Sequence, residues 1–320
     1  MRWQTHARAA LGVLLLALAG GVVWYVMRQA PSAESQAPSP RTDPDAETEI
    51  GADEISRTDN GVVVYRVKYE RAFIYPAATS RMRLVGVSGT LARGGQPMEF
   101  RADEVDIKLK AGAMGDPANF DEMHMRGSVL LTSGPGAEPL HLETSDALYN
   151  ELTGIVTTEK AAKIRRGNMS GSGTGATFDR NRSVVWLLAD AKVNIATAGQ
   201  GTLNVTATRA GLAQNEHYMR FEENVRIARG GRLIETNAAV ANLTPDGKGI
   251  TSLELTGNSR VTGGGDGDVP DMRGDDITIT YNDETGTLER AVLMRAARID
   301  LPEGGGRSLA ADYIDMGFAA

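Results

Sequence analysis

The feature that most constrains the fold of this chain is an internal repeat. Each copy opens on a small or acidic residue, crosses a polar turn into an apolar strand, and after a second turn closes on a strand that contains Val or Ile. The copies open at Asp146, Ala176, Ala207, Ala238 and Asp276, in steps of 30, 31, 31 and 38 residues, with a looser copy at Asp103 and a truncated one at Asp312. A period of roughly 20–50 residues indicates stacked units, because no single copy can bury its apolar face alone.

Within the copies, apolar and polar residues alternate as in β-strands. Val105, Ile107 and Leu109 share one face of such a strand. Asp106 and Lys108 lie between them, on the opposite face. A period of two over about four to eight residues is typical of a half-buried strand. The sequence therefore predicts an all-β fold of repeated antiparallel strands.

The apolar faces of these strands have two readings, a packed core or an open groove for acyl chains. The segment Ser183–Leu188 would place Val184, Trp186 and Leu188 on one face of a strand. Val193 and Ile195 would belong to the same apolar face. A one-residue error of register would reverse every such face. The residues predicted to line the groove are Val105, Ile107, Leu109, Val129, Leu131, Phe178, Val184, Trp186, Leu188, Val193 and Ile195.

Composition excludes several classes of protein. The net charge is −7 and the body of the chain has no long Lys/Arg run, so it lacks the basic patch that a nucleic-acid partner requires. There is no cysteine, which excludes disulfides and thiolate chemistry. Aromatic residues make up 5% and glycines number 37, which suits many short strands and turns better than thick helices.

The N-terminus predicts a membrane anchor. The stretch Ala9–Met27 is apolar, follows Arg2 and Arg8, and ends at Arg28. Nineteen residues span about 28 Å as a helix, close to the hydrocarbon thickness of a bilayer. The charges predict a cytoplasmic tip and an exported body, while a cleaved signal peptide is the alternative. The predicted transmembrane residues include Leu11, Leu14, Leu15, Leu18, Val22 and Trp24.

The remaining motifs point away from catalysis and from a metal site. The four histidines are scattered without metal-ligand spacing. Gly171–Gly175 resembles a phosphate-binding loop, but strand-like residues follow it, which favours a β-turn or bulge. Gly263–Asp268 resembles one Ca²⁺-binding repeat, and a single copy favours a hairpin tip. We expect no catalytic residue, no metal and no cofactor.

Taken together, the order of parts resembles the LptC family. The resemblance rests on the anchor and on the strands Phe100–Asp103, Met125–Val129 and Leu142–Ala147, with the turn Thr153–Val156. Residues 201–320 are similar to further LptA/OstA repeats. The predicted division is 1–29 cytoplasmic tip and transmembrane helix, 30–60 disordered tether, 61–200 LptC-like β-jellyroll, and 201–320 OstA-like repeats.

The resemblance implies a β-jellyroll ladder that holds acyl chains between two sheets. It implies a single-pass inner-membrane protein with its bulk in the periplasm, which receives lipopolysaccharide from an ABC transporter similar to LptBFG. The unfinished strand Asp312–Met316 implies edge-to-edge pairing with an LptA-like β-jellyroll or with a continuation of the chain. The alternative functions are a structural or adhesive β-solenoid with a dry core and a hydrolase of envelope glycans.

Overall fold

Nearly all of the described chain lies in β-strands that pair with their neighbours in sequence. The computed structural model describes residues 43–59, 62–92, 97–110, 119–134, 138–197, 201–247, 249–263, 270–282, 287–300 and 307–318. The strands are β1 (Thr48–Ile50), β2 (Asp53–Asp59), β3 (Val62–Tyr69), β4 (Arg71–Ile74), β5 (Arg81–Leu91), β6 (Met98–Leu109), β7 (Phe120–Ser133), β8 (Leu140–Asn150), β9 (Ile155–Arg166), β10 (Met169–Asp179), β11 (Val184–Thr197), β12 (Gly201–Ala207), β13 (Arg209–Ala213), β14 (Tyr218–Arg229), β15 (Arg232–Leu243), β16 (Ile250–Thr262), β17 (Asp271–Tyr281), β18 (Leu288–Asp300) and β19 (Ser308–Gly317). A 3-10 turn at Ala77–Thr79 precedes β5.

All pairings are antiparallel, and from β5 onward each long strand pairs with the next along the chain. At the start of the ladder, β1 pairs with β4 and β2 pairs with β3. The first two rungs of the ladder are therefore each made of two short strands, β1 with β2 and β3 with β4, instead of one long strand. The rung between β11 and β14 is likewise made of two short strands, β12 and β13, and each of them pairs with both β11 and β14. The predicted all-β antiparallel ladder is therefore confirmed.

Most long strands bend at a corner near their middle. In β6, the buried Phe100 and Ala102 are followed by two outward residues before Val105 is buried again. In β7, Met125 is followed by three outward residues before the buried Val129. The pairing of these two strands shifts register at the same place. A bulge bends a strand, and in β6 it also changes the phase of the alternation between Ala102 and Val105, so both half-strands turn their apolar side chains to the same interior. In β7 the inward phase is the same on both sides of the corner.

The corners explain why the repeat was misread in one respect. The predicted openings Asp146, Ala176, Ala238 and Asp276 lie at or near corners inside β8, β10, β15 and β17, rather than at strand starts. The strands are accordingly 10 to 14 residues long where they cross both halves, not four to eight. The change of phase at a corner makes each half-strand look like a separate strand in the sequence.

The half-strands form two layers around one core. The first layer contains the half-strands next to turns such as 151–154 and 180–183, and the second contains those next to turns such as 167–168 and 230–231. Inward side chains of both layers belong to one hydrophobic cluster that runs from Tyr65 to Ile314. We call the space between the layers the interior, and the side where the turns of the two layers meet the mouth.

Two predictions about the N-terminal part need comment. The expected disorder of residues 30–60 is wrong for Thr48–Ile50 and Asp53–Asp59, which are β1 and β2. Their backbones complete the ladder by pairing with β4 and β3, which needs few apolar side chains. The predicted transmembrane helix lies outside the described residues. Within the described part of the chain, no helix is both long and apolar enough to cross a membrane.

Two smaller predictions concern glycine-rich segments. Gly171–Gly175 lies inside the continuous strand β10, and the register of its pairing shifts there, which confirms a bulge. The Gly263–Asp268 segment falls mostly on residues outside the described part, between β16 and β17. Gly171–Gly175 does not precede a helix, so it lacks the geometry of a phosphate-binding loop.

Several corners place non-glycine residues in the left-handed region, and Ala296 in β18 is one of them, at φ 52°. Left-handed backbone costs an alanine about 1–2 kcal/mol, but a glycine almost nothing. Ala296 is exposed, so its methyl group contributes little packing. We therefore expect Ala296→Gly to raise the free energy of unfolding by about 0.5–1 kcal/mol in denaturant titrations. Ala310→Gly, at an exposed strand position of β19, should lower it, and equal effects of the two changes would contradict the prediction.

On the outer face of the first layer, Asp106 joins three strands. Arg81 Nη2 donates to Asp106 Oδ1 at 2.7 Å, Arg83 Nε donates at 3.2 Å, and Arg126 Nη1 donates to Oδ2. Burial raises the pKa of the Asp106 carboxyl, but the hydrogen bonds from these arginines outweigh it and hold the pKa below its ordinary value. The outward direction predicted for Asp106 and Lys108 is confirmed.

This cluster predicts a pH-dependent contribution to stability. Because the folded pKa of Asp106 is depressed, the stabilisation is complete above the unfolded pKa of about 3.9 and is lost as pH falls through the folded value. Asp106→Asn should lower the free energy of unfolding by about 2 kcal/mol near neutral pH. The difference should shrink in acid, measured by denaturant titration from pH 7 to pH 3. Asp121→Asn, at an exposed position, is the control, and a pH-independent difference for Asp106→Asn would contradict the assignment.

Candidate functional site

The interior between the two layers is the candidate site, and most residues predicted to line a groove face it. Seven of the predicted residues are buried in the hydrophobic cluster of the interior, each with 3% exposure or less, and Ile195 is half-buried against that cluster. These seven residues are Val105, Ile107, Leu109, Val129, Leu131, Phe178 and Val193. Their contact with a lipid remains a prediction.

Strand β11 departs from the predicted face. Val185 and Leu187 are buried at 1% and 0% exposure, whereas Leu188 is 36% exposed. Val184 and Trp186 are only partly buried and alternate with the interior residues. The placement of Val184, Trp186 and Leu188 on the interior face is therefore wrong. The run is apolar on both faces, so the sequence pattern could not show which face lies inward.

Trp186 has a packing role on the outer face. A Cβ on Gly211, opposite it in β13, would lie 2.7 Å from the indole Cε2, so the ring covers a strand position that has no side chain. The guanidinium of Arg209 stands 5.2 Å from the ring centroid. The indole thus joins β11 to β13 from outside, which a cation–π contact of this kind strengthens modestly.

The largest interior side chains were missed by the sequence prediction. Most of them lie in the part of the ladder before β12, and Phe221 and Met219 in β14 are large interior residues further along. Continuing the period of two back from Val129 would have found Met125 and Met123. Continuing it back from Val105 would have missed Phe100 and Met98, because the phase changes at the corner of β6. The missed residues include Tyr65, Met98, Phe100, Phe120, Met123, Met125 and Tyr149.

At the mouth of the early part of the ladder, Arg180 joins the two layers. It belongs to the turn between β10 and β11 and is 2% exposed. Its Nη1 donates to the carbonyl oxygen of Leu91, at the end of β5 in the other layer, at 3.4 Å. Its guanidinium also lies 5.6 Å from the ring centroid of Tyr149. One cation therefore bridges residues that are 89 positions apart in sequence.

The aromatic residues beneath Arg180 close this mouth. The rings of Tyr65 and Phe120 are 5.9 Å apart, and those of Phe120 and Tyr149 are 6.2 Å apart. The Tyr149 hydroxyl donates to Glu151 Oε2 at 2.9 Å. Burial raises the pKa of Tyr149 well above its ordinary value, and Glu151 adds to this against the opposing charge of Arg180. The hydroxyl therefore stays protonated.

The space left at this mouth is small. A pocket of about 10 Å³ lies between Arg57 and Tyr65 on one side and Phe120 and Arg180 on the other. That is about the room that one water needs, whereas a cavity of about 150 Å³ holds benzene. An acyl chain can enter here only if side chains or layers move.

The two ends of the ladder differ in chemistry. At the β2 end, Arg57 and Asp53 pair with the interior residues Tyr65 and Tyr69, so charged side chains border the interior. At the β19 end, Leu309 pairs with the buried Ile299 but is 53% exposed. Leu309 thus faces the interior without a following strand among the described residues to cover it. Inward charges discourage edge pairing, and an apolar edge favours it.

The comparisons with known proteins identify the family. The family model described as "Lipopolysaccharide-assembly, LptC-related" matches residues 12–196, more than half of the chain. The chain belongs to this LptC-related family. A second model, described as "LptA/(LptD N-terminal domain) LPS transport protein", matches residues 204–316. The chain is therefore an LptC family protein with an additional LptA-like domain, and both families consist of lipopolysaccharide-transport components rather than enzymes.

Among solved structures, the chain is similar to LptH, the LptA-homologous periplasmic component of the lipopolysaccharide transport device of Pseudomonas aeruginosa. The identity is 14%, the match covers 38% of this chain and 79% of LptH, and the TM-score is 0.31. No curated protein matches the chain significantly.

No cluster of three or more His, Asp or Glu residues within the described ranges could hold a metal ion. His124 Nε2 lies 2.7 Å from Asp146 Oδ2, and its Nδ1 lies 2.8 Å from Arg126. Both ring nitrogens of His124 are thus engaged within the outer-face network around Asp106.

Proposed function

We propose that this chain is the inner-membrane-anchored periplasmic component that receives lipopolysaccharide from an ABC transporter and passes it along the interior towards the outer membrane. The continuity of the interior across the two matched segments carries the proposal. β11 and β12 pair from Ala191 with Ala207 to Thr197 with Gly201, so the junction between the segments lies within a paired hairpin. The same hydrophobic cluster continues on both sides of it.

The anchor of this proposal is the apolar stretch Ala9–Met27, which includes the predicted transmembrane residues Leu11 to Trp24. The LptC-related match begins at residue 12, inside that stretch. Its length suits one bilayer crossing, and the flanking arginines favour a cytoplasmic tip. The body would then divide near residue 200 into an LptC-like and an LptA-like part, both in the periplasm.

The chemistry of the interior suits a chain that must make room for a lipid. Methionine is unbranched and adapts to irregular neighbours, so a core rich in methionine can repack around an apolar ligand. Methionines occur in the interior of both matched segments. These interior methionines are Met82, Met98, Met123, Met125, Met169, Met219 and Met272.

The difference between the two ends supports a direction of assembly. We propose that the β19 edge pairs with an LptA-like β-jellyroll, which would extend the interior beyond Leu309. A photo-crosslinking residue at Tyr313, which is 55% exposed on β19, should capture such a partner. The same residue at Leu148, 37% exposed in the middle of the ladder, is the control. Equal capture at both positions would contradict edge pairing.

Neighbouring positions at the junction test the lipid path. Ile195 and Leu203 pair with each other, face the interior and are only half-buried. Asn194 and Asn204 are the adjacent pair and are exposed on the outer face. Crosslinkers at Ile195 and Leu203 should capture lipopolysaccharide in cells, and those at the two asparagines should not. Equal capture from both pairs would overturn the proposal.

The filled interior favours a second candidate, a structural or adhesive β-solenoid with a dry core. The small pocket beneath Arg180 is the observation behind it. Mass spectrometry of the full chain, purified in mild detergent, separates the two functions. Bound lipopolysaccharide supports transport, whereas its absence, together with failure of crosslinking at Ile195, supports the solenoid.

A further inference from the structure

Arginines recur along the mouth of the ladder, where one layer meets the other. Arg166 ends β9, and Arg232 begins β15. Arg180 and Arg229 occupy comparable places at the turns after β10 and β14. These cations border the apolar interior instead of lying among the charges of the outer face.

The side chain of Arg166 reaches from the second layer to the first. A Cβ on Gly247, in the turn between β15 and β16, would lie 3.7 Å from Arg166 Nη1. The Nε of Arg166 is buried and has no hydrogen-bond partner. No described carboxylate lies within ion-pair distance of Arg166. Its guanidinium thus holds donors at the mouth that the described chain does not use.

Arg232 repeats this arrangement further along. Its Nε is also buried without a hydrogen-bond partner. Burial raises the pKa of the hydroxyl of Tyr281, which ends β17 in the other layer, and the charges of Arg232 and Arg229 oppose that rise. Arg232 is in phase with the buried Ile234 on β15, so its side chain leaves the strand on the interior face.

The contrast with the outer face argues against an ordinary solvated rim. Many arginines of the outer face have carboxylate partners, for example Arg209 with Glu222 at 3.1 Å and Arg226 with Glu235 at 3.4 Å. Within the described ranges, Arg166 and Arg232 have none. Strands are spaced about 4.8 Å apart, so the five steps from β9 to β15 put the two arginines roughly 20–24 Å apart along the mouth.

We propose that Arg166 and Arg232 bind phosphate groups on the headgroup of the amphiphile whose acyl chains occupy the interior. An acyl chain held between the layers leaves its headgroup at the mouth, beside these guanidinium groups. A guanidinium matches a phosphate with two parallel hydrogen bonds, which makes arginine suited to this contact. The separation of the two residues makes them successive positions along the path. This inference rests on the proposed function, because it requires lipopolysaccharide in the interior.

The test compares lipopolysaccharide with lipopolysaccharide dephosphorylated by a phosphatase, both bound to the full chain in detergent. Arg166→Gln with Arg232→Gln should weaken binding of the phosphorylated lipid about tenfold or more, because charge-assisted hydrogen bonds are lost. Binding of the dephosphorylated lipid should be weaker for the wild type and unchanged by the two substitutions. Arg101→Gln, at an exposed position of the outer face, is the control.

The outcomes separate the inference from the function on which it rests. If the wild type binds both lipids equally and the double variant is unaffected, the phosphate contact is wrong and the lipid path stands. If the Arg101→Gln control weakens binding as much as the double variant, the effect is one of overall charge and the inference is overturned. If the wild type binds neither lipid, the proposed function fails and the inference with it.

Discussion

Leu187→Asp is expected to unfold the protein, whereas Leu188→Asp is expected to leave it folded. Leu187 is fully buried, pairs with Ala176 and Ala210 on either side, and lies 3.4 Å from a Cβ placed on Gly171. The space around it is filled, so an aspartate there would be a buried charge without a partner. Such a change costs more than about 4 kcal/mol, a large share of the stability of an ordinary domain.

The adjacent residue provides the control for this experiment. Leu188 is 36% exposed on the outer face, and its replacement by aspartate should change the free energy of unfolding by about 1 kcal/mol or less. Soluble expression and denaturant titration of both variants measure the difference. If Leu188→Asp were the more damaging change, the assignment of faces in β11 would be reversed and the original prediction from sequence restored.

Arg180→Ala is expected to lower the free energy of unfolding by about 2–4 kcal/mol. The substitution removes a charge-assisted hydrogen bond to the Leu91 carbonyl oxygen, worth about 1.5–3 kcal/mol, and a buried cation–π contact with Tyr149, worth up to about 2 kcal/mol. It also leaves a void at a position that is 2% exposed. The layers should therefore separate more easily at this mouth.

Arg182 is the matched control, because it lies in the same turn and is exposed. Arg182→Ala should change stability by no more than about 0.5 kcal/mol. Denaturant titration measures both variants, and hydrogen exchange at the Leu91 end of β5 shows whether the loss is local to the mouth. Equal stabilities of the two variants would mean that Arg180 does not join the layers.

The sequence predicted much of the fold because strand alternation and turn chemistry are local. The turns at Asn150–Gly154 and Asp179–Arg182 fall between the strands as expected. The alternation of Val105, Ile107 and Leu109 gave the correct inward face. Where the pattern is unambiguous over several residues, one face must be buried, and neighbouring strands only complete what the pattern already specifies.

Strand β11 shows where such reasoning fails. Val184 to Leu188 are all apolar, so either face of the strand could be the buried one and the sequence does not distinguish them. The phase is set by the registers with β10 and β13, which place Leu187 opposite two buried alanines. Trp186 is then left outside, over Gly211, where a large ring fits.

By itself, the sequence determined the all-β class, the repeat, and the resemblance to a family that the comparisons confirm. These follow from local periodicity and from the order of segments, which need no knowledge of contacts between distant residues. Only the tertiary structure decided that each repeat bends at a corner, which interior face β11 presents, and which arginines border the mouth. Arg180 and Leu91 are 89 residues apart, and Arg166 meets Gly247 only because the two layers are folded against each other.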